Sequence, residues 1–295
     1  MEHQRRNGAI YERTAILLGD AGIVALQRAN VLLVGVGGVG GHCAEALVRA
    51  GVGAITLCDH DVVSATNKNR QLIALDSTVG QAKVERLAAR LADVNAQCHI
   101  TAIDFFVTPE DMPSLLRRDA FTHVVDCIDS VECKTALLEA AVKFGFPTFM
   151  SGGAGGRLDP TLVKEGDLYE TEGDALARMC RAELRKRGVG YGYIRAVYSV
   201  EKPLPPLAPV KQESGGRDRG INGTISYMPS LFGLHLAGMV VRHAVDPAAA
   251  EAKMAKSRKK RAAQERSDEE RKKRDAAAKA RRAGEGAGPP AEPPS

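Results

Sequence analysis

Tryptophan is absent from the chain, and aromatic residues make up only 4% of it. A core built from this sequence must be aliphatic. The six cysteines, at positions 43, 58, 98, 127, 133 and 180, include no C-x-x-C pair. That excludes a paired-knuckle zinc module and argues against a disulfide scaffold. Cys43, Cys58 and Cys127 fall in stretches that read as core elements, so they are expected to be small buried hydrophobes in a reducing compartment. No apolar run is long enough to span a bilayer, and the longest, residues 231–241, contains His235. The N-terminal stretch MEHQRRNGAIYERTA has no apolar run of signal-peptide type. The expectation is a soluble, cytoplasmic protein.

The main body also lacks a strong excess of either charge. Residues 251–295 hold 14 Lys and Arg against 8 Asp and Glu, which leaves 27 basic and 28 acidic residues in 1–250. The net charge of +5 is therefore a property of the tail. With 295 residues and 44% hydrophobic content, the chain can bury one large core and still carry an appendage.

What is present is concentrated at residues 31–41, VLLVGVGGVGG, followed by HCAEALVRAG. Aliphatic strand, glycine turn and helix form the phosphate-cradling unit of a nucleotide-binding α/β fold. Gly35 permits the tight turn, Gly37 lets the backbone approach phosphates, and Gly40 permits close strand–helix packing. This pattern alone says dinucleotide or ATP without choosing. Strands are expected at 31–36, 54–58, 98–103, 123–128, 147–150 and 194–200, the last of these antiparallel. Helices are expected at 8–29, 39–50, 79–94, 109–117, 132–144, 172–187 and 230–245. The alternation predicts a Rossmann-like, doubly wound, mostly parallel α/β sheet with an antiparallel extension and a charged C-terminal tail. Four segments follow: a helical lead-in over 1–29, a nucleotide-binding core over 30–150, a substrate-side extension with a closing helix over 151–246, and a low-complexity tail over 247–295. Residues 203–223 read as a mobile loop. In the tail, Ser267-x-x-Glu270 permits a solvated helix, and the last ten residues are expected to be disordered.

Asp59 lies 19 residues past Gly40 at the end of the second strand. An acidic residue there bonds ribose hydroxyls in dinucleotide folds. The residues after it suit a triphosphate better than a hydride carrier. Asp59, Asp61, Asn67, Asn69, Arg70 and Gln71 pack carboxylates, amides and a guanidinium into one segment, and Lys83 adds a second cation. Asp126 and Asp129 follow at the end of the fourth strand, where open α/β sheets bind ligands.

The string G-x-G-G-x-G, D-x-D-x-V-x-x-x-N-x-N-R-Q, G-x-x-K and D-x-x-D resembles the adenylation domain of the ubiquitin-activating-enzyme superfamily. The resemblance implies that Gly37 and Gly38 lie against ATP phosphates, that Asp59 holds the ribose, and that Asn67, Arg70 and Lys83 grip the phosphates. It gives Asp129 the Mg²⁺. Arg13, in YERTAILLG, sits where the superfamily places an arginine that reaches the partner subunit's ATP. Ile10 and Thr14 depart from that motif. The phrases DFFVTPEDM, VVDCIDSVECK, SGGAGGRLDPT and GTISYMPSLFGLHLAG resemble the tRNA threonylcarbamoyladenosine dehydratase branch.

That branch implies ATP-dependent cyclisation of threonylcarbamoyladenosine beside the tRNA anticodon. The threonine carboxylate is adenylated with release of pyrophosphate, and intramolecular ring closure then expels AMP, with no need of a cysteine nucleophile. The alternative is an enzyme that activates a ubiquitin-like or sulfur-carrier protein. Implied partners are tRNA, a second copy of the chain, and a sulfur-relay or cysteine-desulfurase protein; an organellar or membrane-associated address stays open. Some residues keep two readings. Asp61 and Asp126 are ligands or caps, and Asn69 is a ligand or a loop brace. The 152–156 loop with Arg157 and Asp159 is a plain turn, or a pocket for the nucleoside or for a monovalent cation. The basic helix with Arg178, Arg181, Arg185, Lys186 and Arg187 is a solvated face or an RNA contact. His60 and His123 are expected to be structural.

Overall fold

The computed structural model describes residues 8–207 and 222–252, with a few scattered positions as far as 274. The tail expectations, including Ser267-x-x-Glu270 and the last ten residues, lie outside the described residues. So does most of the expected 203–223 loop. The chain divides into two units, Met1–Glu251 and Ala252–Ser295, and the first holds the whole sheet.

Helix α1 (Glu12–Gln27) is kinked at Gly19, whose φ of +67° suits only a residue without a side chain. Strand β1 (Asn30–Val34) follows, then α2 (Gly40–Ala50), β2 (Ala54–Asp59), α3 (Lys83–Val94), β3 (His99–Asp104) and α4 (Met112–Leu116). The chain continues through β4 (His123–Asp126), α5 (Val131–Lys143), β5 (Thr148–Ser151), β6 (Val163–Asp167), α6 (Ala175–Lys186), β7 (Ile194–Ser199) and α7 (Tyr227–Val245). The seven strands form one sheet in the order β3-β2-β1-β4-β5-β7-β6. All pairs are parallel except β6 with β7.

Pleat alternation explains the two-sided core. Val31 and Leu33 pack with α2, α3 and α7 on one face, among Leu47, Leu87 and Phe232. Leu32 and Val34 pack on the other face with Met112, Leu116 and Leu137 of α4 and α5. A strand buried on both faces reads as an unbroken aliphatic run, as VLLV does. The chain order reverses between β1 and β4, which lie side by side. That is the switch point where such sheets open a ligand crevice at the strands' carboxyl ends.

Several expectations shift. Strand β6, VKEGD, shows no alternation and carries three charges and a glycine. Its antiparallel pairing with β7 makes it a strand, and no local pattern marks it. Strand β7 is antiparallel only to β6 and runs parallel to β5. Helix α3 starts at Lys83 rather than 79, because Gly80 takes a φ of +84° and the turn there bonds back to Val63. Helix α6 starts after Asp174, whose carboxylate accepts from the Ala177 N–H and caps it. Among the described residues, no helix is long and apolar enough to cross a membrane.

Candidate nucleotide site

The glycine turn leaves β1 at Gly35, which adopts a φ of +91°. A side chain there would also collide with the Cys127 carbonyl at 2.7 Å. The Gly35 N–H donates to the Cys58 carbonyl at 2.8 Å, tying the tips of β1 and β2. At Gly40 an added Cβ would lie 1.8 Å from the Gly35 carbonyl oxygen. These two positions explain why the run needs glycine before any ligand is considered. Gly37 and Gly38 are packed by the next loop: Gln71 faces the first, while the Arg70 stem and Pro229 of α7 cover the second.

Asp59 at the tip of β2 braces this turn. Its Oδ2 accepts from the Val36 N–H at 2.7 Å and its Oδ1 from the Asp61 N–H at 2.9 Å. Each oxygen keeps a lone pair for a further donor. Asp61 is exposed, and its Oδ2 lies 2.7 Å from the Nζ of Lys83. Lys83 is itself buried at the start of α3. A carboxylate and an ammonium thus face each other beside the turn. Asn67 closes a capping box with Ser64. Arg70 Nη1 donates to the Thr66 carbonyl and to Asn69 Oδ1. Asn69 Nδ2 donates to the Thr224 carbonyl at 2.8 Å, which makes it a brace between this loop and the approach to α7. The Gln71 amide is buried beside Gly37, and its Oε1 has no partner among the described residues.

The two aspartates after β4 differ. Asp129 is exposed just before α5. Asp126 is fully buried, 2.7 Å from the equally buried Nζ of Lys134. This corrects the ligand reading of Asp126: its charge is turned into the core, and burial raises its pKa against the pull of Lys134. Lys134 escaped the sequence reading. The signal was there, since Lys134 shares a helical face with the buried Leu137, Leu138 and Ala141. A charge on a buried face requires a partner.

The extension beyond β5 organises itself. Arg157 is buried and donates to the carbonyls of Gly153, Gly173, Ser199 and Glu201, with Asp174 3.5 Å away. Asp159 caps the turn at Thr161. On the basic helix, Arg181 donates to the Leu168 and Thr171 carbonyls, Arg187 pairs with Glu139 and Glu183, and Arg185 stacks on Tyr169. Arg178, Arg185 and Lys186 remain exposed. Arg13 is exposed on the first turn of α1. All six cysteines are free. Burial pushes the Cys58 thiol up to about 12 and those of Cys98 and Cys180 to about 11; Cys43 and Cys127 are raised as well. None of these five forms a thiolate at neutral pH.

A glycine turn, an acidic strand tip and clustered cations at the switch point of a parallel sheet define a nucleotide-binding α/β protein. The chain belongs to the ThiF family, whose model matches residues 11–279. It is similar to the tRNA threonylcarbamoyladenosine dehydratase of Bacillus subtilis (strain 168), with 36% identity over 237 residues, 78% of this chain and 92% of that protein. It is 40% identical over 199 residues to the protein of the same name from Escherichia coli (strain K12), covering 65% of this chain and 74% of the relative. The crystal structure of the E. coli dehydratase, TcdA, in complex with ATP matches with a TM-score of 0.73 and 33% identity, over 84% of this chain and 98% of that one.

Proposed function

We propose that the chain is an ATP-dependent tRNA threonylcarbamoyladenosine dehydratase. The observation that carries this is the convergence of Gly37, Asp59, Arg70 and Lys83 at the switch point, in a chain similar to dehydratases over most of its length. Asp59 receives the ribose hydroxyls on its remaining lone pairs. Asn67, Arg70 and Lys83 hold the phosphates, with Gly37 and Gly38 leaving the backbone close to them. The unpartnered Gln71 Oε1 supports a ligand that brings a hydrogen-bond donor to the turn.

The threonine carboxylate attacks the α-phosphorus, and the bond to the pyrophosphate oxygen breaks. Arg70 and Lys83 stabilise the charge that gathers on the leaving group. Lys83 meets Asp61 in the free protein, so nucleotide binding exchanges one anion partner for another. The ureido group of the same substrate then closes a five-membered ring on the activated carbonyl and expels AMP. Ring closure is intramolecular, so effective molarity replaces an enzyme nucleophile. The raised thiol pKa values support a route without a thioester.

Mg²⁺ fits the exposed hard oxygens of Asp129, which have no protein partner among the described residues; bound there, it would neutralise charge on the phosphates. In a homodimer, the exposed Arg13 would extend to the second copy's ATP. A sulfur-relay or cysteine-desulfurase partner belongs to the proposal only as a protein whose addition would raise turnover.

The test incubates the protein with ATP, Mg²⁺ and tRNA carrying the open nucleoside, followed by mass spectrometry of nucleosides and nucleotides. Loss of one water from the nucleoside, with AMP and pyrophosphate formed in step, is the expected result. ADP and phosphate would refute the adenylation step. Pyrophosphate exchange that depends on a diglycine-ended carrier protein and not on tRNA would favour carrier activation instead.

A further inference from the structure

We infer that the buried Asp126–Lys134 pair is a positioning device for Asp129, setting where that carboxylate projects at the mouth of the site. The inference rests on the reading of Asp129 as the Mg²⁺-holding residue. Three contacts close the turn between them. Asp126 Oδ1 accepts from the Ile128 N–H at 3.0 Å. Lys134 Nζ donates to the Ile128 carbonyl at 2.9 Å. The same ammonium lies 2.7 Å from Asp126 Oδ2, with both side chains fully buried. The peptide units on either side of Ile128 are thereby fixed, and Asp129 is the next residue. Backbone bonds hold the flanks: Cys127 N–H donates to the Val34 carbonyl, and Lys134 N–H to the Ser130 carbonyl. The Cys127 carbonyl is also the group that a side chain at Gly35 would strike. The clamp therefore couples the glycine turn to the loop that presents Asp129.

The chemistry of the pair favours positioning over stability. A fully buried ion pair pays heavy desolvation, and an apolar pair of similar volume packs as well or better. Lys134 sits between the aliphatic residues of α5, where leucine or methionine would serve a core. What an apolar pair would not do is fix both polar groups of Ile128. Groups that orient a ligand residue in this way tune metal affinity by about 10–100-fold.

The test compares Asp126→Asn/Lys134→Met, Lys134→Met alone, Lys134→Arg and Asp129→Ala in the full chain. The double variant removes both charges together, so it folds even where the single variant leaves a buried carboxylate uncompensated. Mn²⁺ affinity in the presence of a non-hydrolysable ATP analogue is read by electron paramagnetic resonance. Urea unfolding is followed alongside. The expected result for the double variant is unchanged or higher stability with Mn²⁺ binding weakened about tenfold or more, and Lys134→Arg recovers part of it. Wild-type Mn²⁺ affinity in the double variant, with Asp129→Ala impaired, overturns the positioning role and leaves the reading of Asp129 standing. Unimpaired Mn²⁺ binding in Asp129→Ala removes that reading, and the inference falls with it.

Discussion

At the scale of single residues, the buried histidines below the sheet show how burial sets charge. His123 at the start of β4 bonds His243 of α7 at 3.0 Å, and His243 approaches Glu251 at 3.3 Å. Thr122 lies 2.7 Å from the other nitrogen of His123. Burial, helped by the charges of His243 and Arg195, lowers the His123 pKa from 6.5 to about 3. The folded protein then binds fewer protons than the unfolded chain between these values. The stability contributed by His123 is complete above about pH 6.5 and is lost as pH falls toward 3, at up to about 1.4 kcal/mol per pH unit. A His123→Gln variant should show a flatter dependence of urea midpoint on pH across that window. An unchanged slope would show that this ring carries no linked proton.

At the scale of elements, Arg157 does what no single hydrogen bond could. Its guanidinium joins the glycine loop after β5, the end of β7 and the capped start of α6. Neither the loop nor β6 has a pattern that would order it alone. Replacing Arg157 with methionine strands four carbonyls and leaves Asp174 without its cation. The expected loss is about 3–5 kcal/mol, seen as a lower urea midpoint. Equal midpoints for variant and parent would mean that water replaces the guanidinium at no cost. The first, second and fourth strands were legible in the sequence because each centres on aliphatic residues, and the third and fifth because they fall in the alternation of strand and helix. Strand β6 was not, because its strand character comes from a neighbour that is distant in sequence.

At the scale of the whole molecule, the charge-balanced body and the basic tail differ in what they carry. The unit that ends at Glu251 contains the sheet, both core layers and every candidate ligand. It also contains Glu251 itself, which bonds Arg195 and His243. A chain ending at Glu251 should keep the parental unfolding midpoint and should still release pyrophosphate from ATP in the presence of tRNA carrying the open nucleoside. A large drop in either would make residues 252–295 part of the folded enzyme.

The amino-acid order by itself determined the parallel α/β fold, the glycine turn and the line of polar residues from Asp59 to Asp129. These are local facts: strand runs, turn glycines, and charges at the ends of apolar segments. Tertiary structure decided which of those charges can meet a ligand. Asp126 and Asp129 are three positions apart and chemically identical, yet one faces Lys134 in the core and the other faces solvent. Asn69 and Arg157 were likewise given their bracing roles by Thr224 and Ser199, partners brought close only by folding. Burial and partnership depend on the packed neighbours of a side chain, and sequence spacing does not fix those.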